Sequence, residues 1–223
     1  MKRTALKDLL TTLCGVAVVI LCVSMSHAES SKPLGKGEAV LEKSQIEFLD
    51  KLMRDTFRFM SEAADPVTGL TGNTQGDFSF VNSTPIGLHI ASLAIGSELG
   101  LLDADEAAAK FGKVLDTMEK IHFKQDGFFP NFITRDLANK FGSVMIISDY
   151  NFYPVGMVVA RQVWPQYAER ITKYLDFIKW ELLYNKEANR VVAGYDLAKR
   201  KAAHEGLWLA SDARCAVTMM VGS

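Results

Sequence analysis

Apolar residues recur at helical spacing along most of the chain beyond residue 38. Between residues 38 and 62 they form one stripe, three to four residues apart, which predicts a long helix with a broad buried face. The stripe consists of Ile46, Leu49, Met53, Phe57 and Met60, widened by Phe48, Leu52 and Phe59. The same periodicity predicts five more helices, over residues 85–99, 103–121, 149–163, 165–183 and 206–221.

Capping and breaking residues set the ends of these helices. Thr84 before Pro85, Asp103 three residues before Glu106, and Ser148 are the candidate N-caps. Turn-forming residues predict the loops, which are a turn over 65–69, a loop over 71–82, an aromatic loop or short hairpin over 122–147, and a hairpin over 185–204 with a candidate strand at 190–195.

The six predicted helices are joined alternately by short turns and by long polar loops. Because strand-type alternation is not sustained anywhere, we predict an all-α fold. Long helices with wide apolar faces need neighbours on more than one side, so we expect a layered array of helical hairpins and not a four-helix bundle.

The first 28 residues have the composition of a secretory signal peptide. Three basic residues precede a mostly apolar run from Leu9 to Met25, and a small residue, Ala28, closes the segment. We therefore predict cleavage after Ala28, a linker over 29–37 and a mature domain over 38–223 that is periplasmic or secreted. The alternative is a retained membrane anchor, although the apolar run is short for a spanning helix. After cleavage we expect no stable membrane insertion.

Composition and charge narrow the classes of function. The chain has 223 residues, of which 48% are hydrophobic, and a formal net charge of −1. It is therefore typical of globular proteins and lacks the basic character that a nucleic-acid partner requires. Cys14 and Cys22 belong to the predicted signal peptide, so Cys215 has no intrachain disulfide partner in the mature chain. An exported protein without disulfides fits a bacterial periplasm or surface.

The long loops combine aromatic side chains with carboxylates. Such a surface suits an oligo- or polysaccharide, because a ring stacks on the apolar face of a sugar while charged acceptors bind its hydroxyls. The alternative is that the rings are core residues. The candidate substrate-binding residues are Asp77, Asp126, Phe128, Phe129, Tyr150, Tyr195, His204, Glu205, Trp208 and Arg214.

Two carboxylates are candidate catalytic residues. Asp149 lies in the first turn of a predicted helix, and Asp212 lies in an otherwise apolar helical segment near Trp208 and Arg214. Glycoside hydrolysis needs a pair of carboxyl groups across the scissile bond, one to protonate the leaving oxygen and one to activate water or attack. Alternatively, Asp149 complements a helix dipole and Asp212 forms a buried ion pair with Arg214.

Other chemistry has little support in the sequence. His89, His122 and His204 lie far apart and do not have the spacing of metal ligands, and nucleotide-binding motifs do not occur. We expect no metal and no other cofactor.

Several segments resemble the glycoamylase-like proteins, a family that includes bacterial endo-β-1,2-glucanases and the central domain of cyclic β-1,2-glucan synthases. The similar segments are Asp65-Pro66-Val67-Thr68-Gly69-Leu70, Gly96-Ser97-Glu98-Leu99-Gly100-Leu101, Asp126-Gly127-Phe128-Phe129, Ser148-Asp149, and Trp208 through Ser223. The resemblance implies an (α/α)6 toroid whose long loops line a substrate cleft. It also implies that Asp149 lines this cleft, that Asp212 is the general acid, and that hydrolysis proceeds by inversion.

A toroid of this kind needs twelve helices, and the sequence predicts six. We therefore expect about half of the toroid, with open apolar faces that either a missing C-terminal half or a second copy of the chain would cover. The first hypothesis is an exported glycoside hydrolase-like protein acting on a β-glucan. The alternative is a non-catalytic carbohydrate-binding or envelope glucan assembly protein. The sequence leaves open the linkage, endo or exo action, and whether Asp149 and Asp212 face each other.

Overall fold

The computed structural model describes residues 41–74, 77–121, 125–137 and 140–204. The chain divides into two units, Met1–Arg58 and Phe59–Ser223. Helix α1 (Lys43–Glu62) begins in the first unit and ends in the second. Among the described residues, no helix is both long enough and apolar enough to cross a membrane. The predicted signal peptide, the linker and the last predicted helix (206–221) lie outside the described residues.

The described part of the first unit is the N-terminal portion of α1. The helix forms where the apolar spacing predicts it, but the predicted broad buried face is wrong for the described residues, because Met53 is its only buried side chain. Phe48 is 62% exposed and Leu52 is 46% exposed. Ion pairs four residues apart line the same helix, and such pairs contribute a few tenths of a kcal/mol each. These pairs are Lys43–Glu47, Asp50–Arg54 and Lys51–Asp55.

In the second unit, a tight turn links the end of α1 to a small sheet. Gly69 has a φ of +74°, and its N–H donates to the Asp65 carbonyl at 2.7 Å. Strands β1 (Gly72–Thr74) and β2 (Asp77–Asn82) follow. The prediction of a loop over residues 71–82 is therefore wrong.

The sheet is antiparallel, has the order β1-β2-β3-β4, and includes β3 (Phe132–Thr134) and β4 (Lys140–Phe141). Asn82 pairs with Phe132, Val81 with Ile133, and Phe80 with Thr134. Val81 and Ile133 are fully buried, so one face of the sheet belongs to the core.

Four helices form the body of this unit. Helix α2 (Ser83–Glu98) is followed after a short turn by α3 (Ala104–Glu119), and α5 (Phe152–Val163) packs against α2 and against α6 (Ala168–Phe177). The core between them includes Ile86, Ile90, Leu93, Phe111, Leu115, Met118 and Met157.

The predicted caps are confirmed in one case and wrong in two. Asp103 caps α3 by accepting from the N–H groups of Asp105 and Glu106. For α2 the N-cap is Asn82 and not Thr84, because the chain stays extended through residue 82. Ser148 is not a cap either, since a separate short helix, α4 (Ile147–Tyr150), starts directly from strand β5 (Val144–Ile146) and precedes α5.

The region after α5 is more broken than predicted. A 3-10 turn (Pro165–Tyr167) precedes α6, and a second one (Trp180–Leu183) follows it, so the predicted helix over 165–183 is interrupted where Ile178 becomes extended. The cause is tertiary, because the Lys179 N–H donates to the Asp126 carbonyl at 2.9 Å.

Two further small sheets complete the described structure. Strands β6 (Tyr184–Asn185) and β7 (Arg190–Val191) form a hairpin, while β8 (Gly194–Asp196) pairs with β5 and with β9 (Lys201–His204). The candidate strand at 190–195 is therefore divided between two sheets. The fold is dominated by helices, but the nine short strands in the described residues correct the all-α prediction.

Candidate active site

Asp149 lies where a strand passes directly into a helix. Strand β5 is fixed by β8, with Met145 opposite Tyr195, and the Ile147 N–H donates to the Ala193 carbonyl at 3.0 Å. Helix α4 begins at Ile147, the residue that follows β5. Asp149 lies in its first turn, and the carboxylate of Asp149 is partly exposed. The position of this carboxylate is thus set by the β5–β8 pair.

The Asp149 side chain lies against the N-terminus of α2. The Thr84 hydroxyl lies 3.2 Å from the Asp149 backbone oxygen and 3.4 Å from its Oδ1, and the Asn82 amide lies 3.5 Å from its Oδ2. Asn82 also caps α2, because its Oδ1 accepts from the Thr84 N–H at 2.7 Å. A helix N-terminus carries partial positive charge and favours a carboxylate. Asp149 thus has neutral neighbours and a partly exposed carboxylate, which can accept a hydrogen bond from a hydroxyl group.

The structure brings Asp126 and Tyr195 together. It also brings Arg200 to Asp126, a contact that the sequence analysis did not predict. The Asp126 carboxylate accepts from the Tyr195 hydroxyl at 3.2 Å and from Arg200 Nη2 at 2.6 Å. Burial raises the pKa of Tyr195, and the charge of Asp126 adds to this rise. Asp126 and Gly127 both have positive φ, +57° and +85°, as a tight hairpin turn requires. In this structure Asp126 therefore fixes the turn to Tyr195 and Arg200.

The rings of Phe128, Phe129, Tyr150 and Tyr195 pack in the core. Each is at most 1% exposed. Phe128 lies edge-on to Tyr150, with 5.4 Å between ring centroids, and Phe129 lies 5.2 Å from the same ring. The Tyr150 hydroxyl donates to the Gly127 carbonyl at 2.7 Å, and burial raises its pKa. These rings present no open face to a sugar, which agrees with the alternative that they are core residues.

The remaining predicted site residues have no described side chains. Asp77 and His204 are described only as members of β2 and β9. Glu205, Trp208, Asp212 and Arg214 lie outside the described residues. The pairing of Asp149 with Asp212 accordingly stays a prediction.

A groove lies at the other end of strands β2 and β3. Its volume is about 480 Å³, within the range of ligand pockets. The lining residues are Val67, Thr68, Ser79, Thr134, Arg135 and Asp136. In the described part of the chain, no group of three or more His, Cys, Asp or Glu side chains could hold a metal ion.

An ion pair with the buried Asp65 fixes the half-exposed Arg135 in the wall of this groove. Arg135 donates to both carboxylate oxygens of Asp65, at 3.0 and 2.8 Å, and the Asp65 side chain is fully buried. Burial acts to raise the pKa of Asp65, but hydrogen bonds from Thr68, Val67 and Arg135 outweigh it, and the pKa is lowered. Asp65 therefore stays charged and fixes Arg135 at the edge of the groove.

Sequence reasoning missed Asn82 as a partner of Asp149 and Arg200 as a partner of Asp126. The sequence contains a signal for Asn82, since Asn82, Ser83 and Thr84 are three consecutive residues of the capping type. This signal does not show which of the three residues is the cap. The contact between Arg200 and Asp126 spans 74 residues and has no local signal.

Comparison with solved structures identifies the fold. An endo-β-1,2-glucanase from Chitinophaga pinensis, solved with sophorotriose and glucose, has a TM-score of 0.57 and 18% identity, and the match covers 70% of this chain and 41% of that one. A β-1,2-glucanase from Parabacteroides distasonis has a TM-score of 0.54 and 22% identity, with coverages of 65% and 22%. A candidate glucoamylase from Bacteroides fragilis has a TM-score of 0.59 and 19% identity, with coverages of 74% and 42%.

The resemblance to glycoamylase-like proteins is thus confirmed at the level of the fold. The chain spans less than half the length of each of these three proteins. Protein-family models and the sequences of curated proteins give no match to it.

Proposed function

We propose that this chain is a glycoside hydrolase-like protein that acts on a β-glucan. The observation that carries the proposal is the position of Asp149. Its carboxylate is partly exposed and lies beside Asn82 and Thr84 at a helix N-terminus, in a fold shared with two β-1,2-glucanases. Those glucanases make linear β-1,2-glucan the first substrate to test.

The chemistry that we propose is hydrolysis with inversion by two carboxyl groups. Asp212 protonates the leaving glycosidic oxygen, and Asp149 accepts a proton from the attacking water on the opposite face of the sugar. The bond between the anomeric carbon and the leaving oxygen breaks as the bond to water forms. In this proposal the described helices form part of an (α/α)6 toroid.

Replacement of Asp149 by Asn tests the catalytic role directly. An amide keeps the shape of the side chain but cannot accept the proton, so we expect turnover of linear β-1,2-glucan to fall at least about a hundredfold. Affinity for the glucan should change little. Release of reducing ends measures turnover, and titration calorimetry measures binding.

Asp176→Asn is the matched control, since Asp176 is an exposed carboxylate on α6. It should hydrolyse the glucan at the wild-type rate. Wild-type turnover by Asp149→Asn would exclude the catalytic role. Binding of the glucan by the wild-type chain without release of reducing ends would favour the carbohydrate-binding alternative.

A further inference from the structure

Helix α1 carries a row of exposed apolar side chains. With about 100° of rotation per residue, Phe48, Leu52 and Phe59 lie within about 40° of one another around the helix axis. They are 62%, 46% and 48% exposed. Leu41, which precedes the helix and is 38% exposed, lines a shallow groove together with Phe48. We call Leu41, Phe48, Leu52 and Phe59 the apolar seam of α1.

The apolar seam is separate from the buried side of the helix. The buried Met53 lies about 100–140° around the axis from Phe48, Leu52 and Phe59. If a large apolar side chain has roughly 200 Å² of surface, the exposed parts of the seam add up to roughly 400 Å². An exposed apolar surface of this size marks an interaction site in a soluble protein.

The spacing of the apolar seam is symmetric about position 50. Phe48 and Leu52 lie two residues on either side of this position, and Leu41 and Phe59 lie nine residues on either side. Two copies of α1 that pack antiparallel around a twofold axis at position 50 therefore place Phe48 against Leu52 of the other copy, and Leu41 against Phe59. An interface between two identical surfaces requires this kind of self-complementarity.

The charged residues beside the apolar seam are compatible with this pairing. Asp55 forms ion pairs with Lys51 and Arg58 of its own helix. The two Lys51 side chains approach each other at the twofold axis, but each is neutralised by the Asp55 of its own helix. Asp55 itself comes opposite Ser44 and Gln45 of the second copy, which are polar groups that can donate to it. The contact therefore contains no unpaired charge.

We propose that two copies of this chain associate through the apolar seam, with their α1 helices antiparallel. With the polar residues at its edges, the pair buries roughly 1,000 Å² in total, which is at the low end for a specific interface. We therefore expect a reversible dimer that dissociates on dilution. The proposal goes beyond glucan hydrolysis and does not depend on it, since none of the seam residues belongs to the candidate active site.

Phe48→Lys and Leu52→Glu in the full chain test this interface. Each variant places a charge against an apolar side chain of the second copy, so we expect the dissociation constant of the dimer, measured by sedimentation equilibrium, to rise at least about tenfold. An equimolar mixture of the two variants should recover dimers, because the introduced ammonium group of one copy then lies beside the introduced carboxylate of the other.

Phe177→Lys is the matched control, since Phe177 is 50% exposed but lies on α6. It should dimerise as the wild type does. Circular dichroism establishes that all variants keep their helix content.

Three results would overturn the proposal. The first is a wild-type chain that stays monomeric at its highest soluble concentration. The second is equal dimerisation of Phe48→Lys and Phe177→Lys, because the contact then lies elsewhere. The third is a mixture of Phe48→Lys and Leu52→Glu that stays monomeric, which excludes the antiparallel arrangement. If the monomeric wild type binds vesicles of phosphatidylcholine and phosphatidylglycerol and Phe48→Lys does not, the seam contacts a lipid surface and the dimer is rejected.

Discussion

His89 is a buried side chain on α2 whose Nδ1 has no hydrogen-bond partner among the described residues. Burial, with a smaller contribution from the charge of Lys110, lowers the pKa of His89 to about 4. The imidazole is therefore neutral in the folded chain at neutral pH. In the unfolded chain a histidine binds its proton at about pH 6.5.

This difference makes stability depend on pH. Between about pH 6.5 and 4 the unfolded chain binds one more proton than the folded chain, so the free energy of unfolding falls as the pH is lowered through this window. The full loss at pH 4 is up to about 3 kcal/mol. Urea unfolding of the wild type at pH 7, 5.5 and 4.5 should show this decrease.

His89→Gln cannot titrate and should lose clearly less stability over the same range. The buried carboxylates do not obscure the comparison, because the pKa of Asp65 is lowered and that of Asp196 falls to about 2, with backbone hydrogen bonding from Lys199 as its main cause. Equal pH slopes for the variant and the wild type would show that His89 is not the titrating group.

At the residue scale, chemical type could be predicted from the sequence but exposure could not. Asp126 and Phe128 were correctly placed in the predicted aromatic loop or short hairpin over 122–147, and Asp149 in a first helical turn. Whether a ring lies in the core or on a surface depends on residues distant in sequence. Tyr195, for example, approaches the Phe128 ring to 5.4 Å only because β8 pairs with β5.

Between α2 and α5, two glycines bring the backbones into direct contact. A Cβ at Gly87 would lie 2.1 Å from the Phe152 carbonyl oxygen, and a Cβ at Gly156 would lie 2.5 Å from the Gly87 carbonyl oxygen. Both neighbours are backbone atoms and cannot rotate away. This contact fixes how closely the two helices pack.

Gly87→Ala should therefore destabilise the chain. Overpacking of this kind costs about 1–3 kcal/mol or more, which exceeds the gain of about 1 kcal/mol from replacing a helical glycine. We expect a net loss of about 2 kcal/mol in the free energy of unfolding, measured by urea titration.

Gly112→Ala on α3 provides the comparison. Its Cβ would meet the Tyr167 hydroxyl at 2.5 Å, and that hydroxyl is the far end of a side chain that can shift. The loss should be smaller than at Gly87. Equal stability of Gly87→Ala and the wild type would mean that the helices separate at little cost.

At the element scale, the long helices were predictable, whereas the strands were predicted only in part, as the candidate strand at 190–195 and the hairpins over 122–147 and 185–204. The helices over 43–62 and 104–119 contain several turns of periodic apolar residues, and the helix over 83–98 is a long run of mostly small and apolar residues. Both signals are contained within the element itself. The strands have two to six residues, too few for alternation to be recognised. β5 pairs with β8 across some fifty residues of chain, so that contact has no local sequence signal.

At the scale of the whole molecule, the sequence resemblance and the fold agree. The motifs indicated glycoamylase-like proteins, and the matched structures include two β-1,2-glucanases at 18% and 22% identity. At such identity the likeness establishes the fold, while substrate and chemistry depend on the site.

Export is a further property that we propose for the whole chain. We expect the mature protein to begin at Glu29, because the first 28 residues have the composition of a signal peptide. The first residue of the mature protein can be determined by intact mass and N-terminal sequencing of the protein recovered from the periplasm or medium. A membrane-bound product that retains Met1 would contradict cleavage. A mass well above that of residues 29–223 would show a longer polypeptide.

The amide of Asn82 serves two partners at once. Its oxygen caps α2 through the Thr84 N–H, while its nitrogen faces the Asp149 carboxylate. An aspartate here would keep the cap but would place a second negative charge beside the first, and a serine would keep the cap but would not reach as far. Of these three residues, only asparagine combines the cap on α2 with a neutral donor that is long enough to reach Asp149.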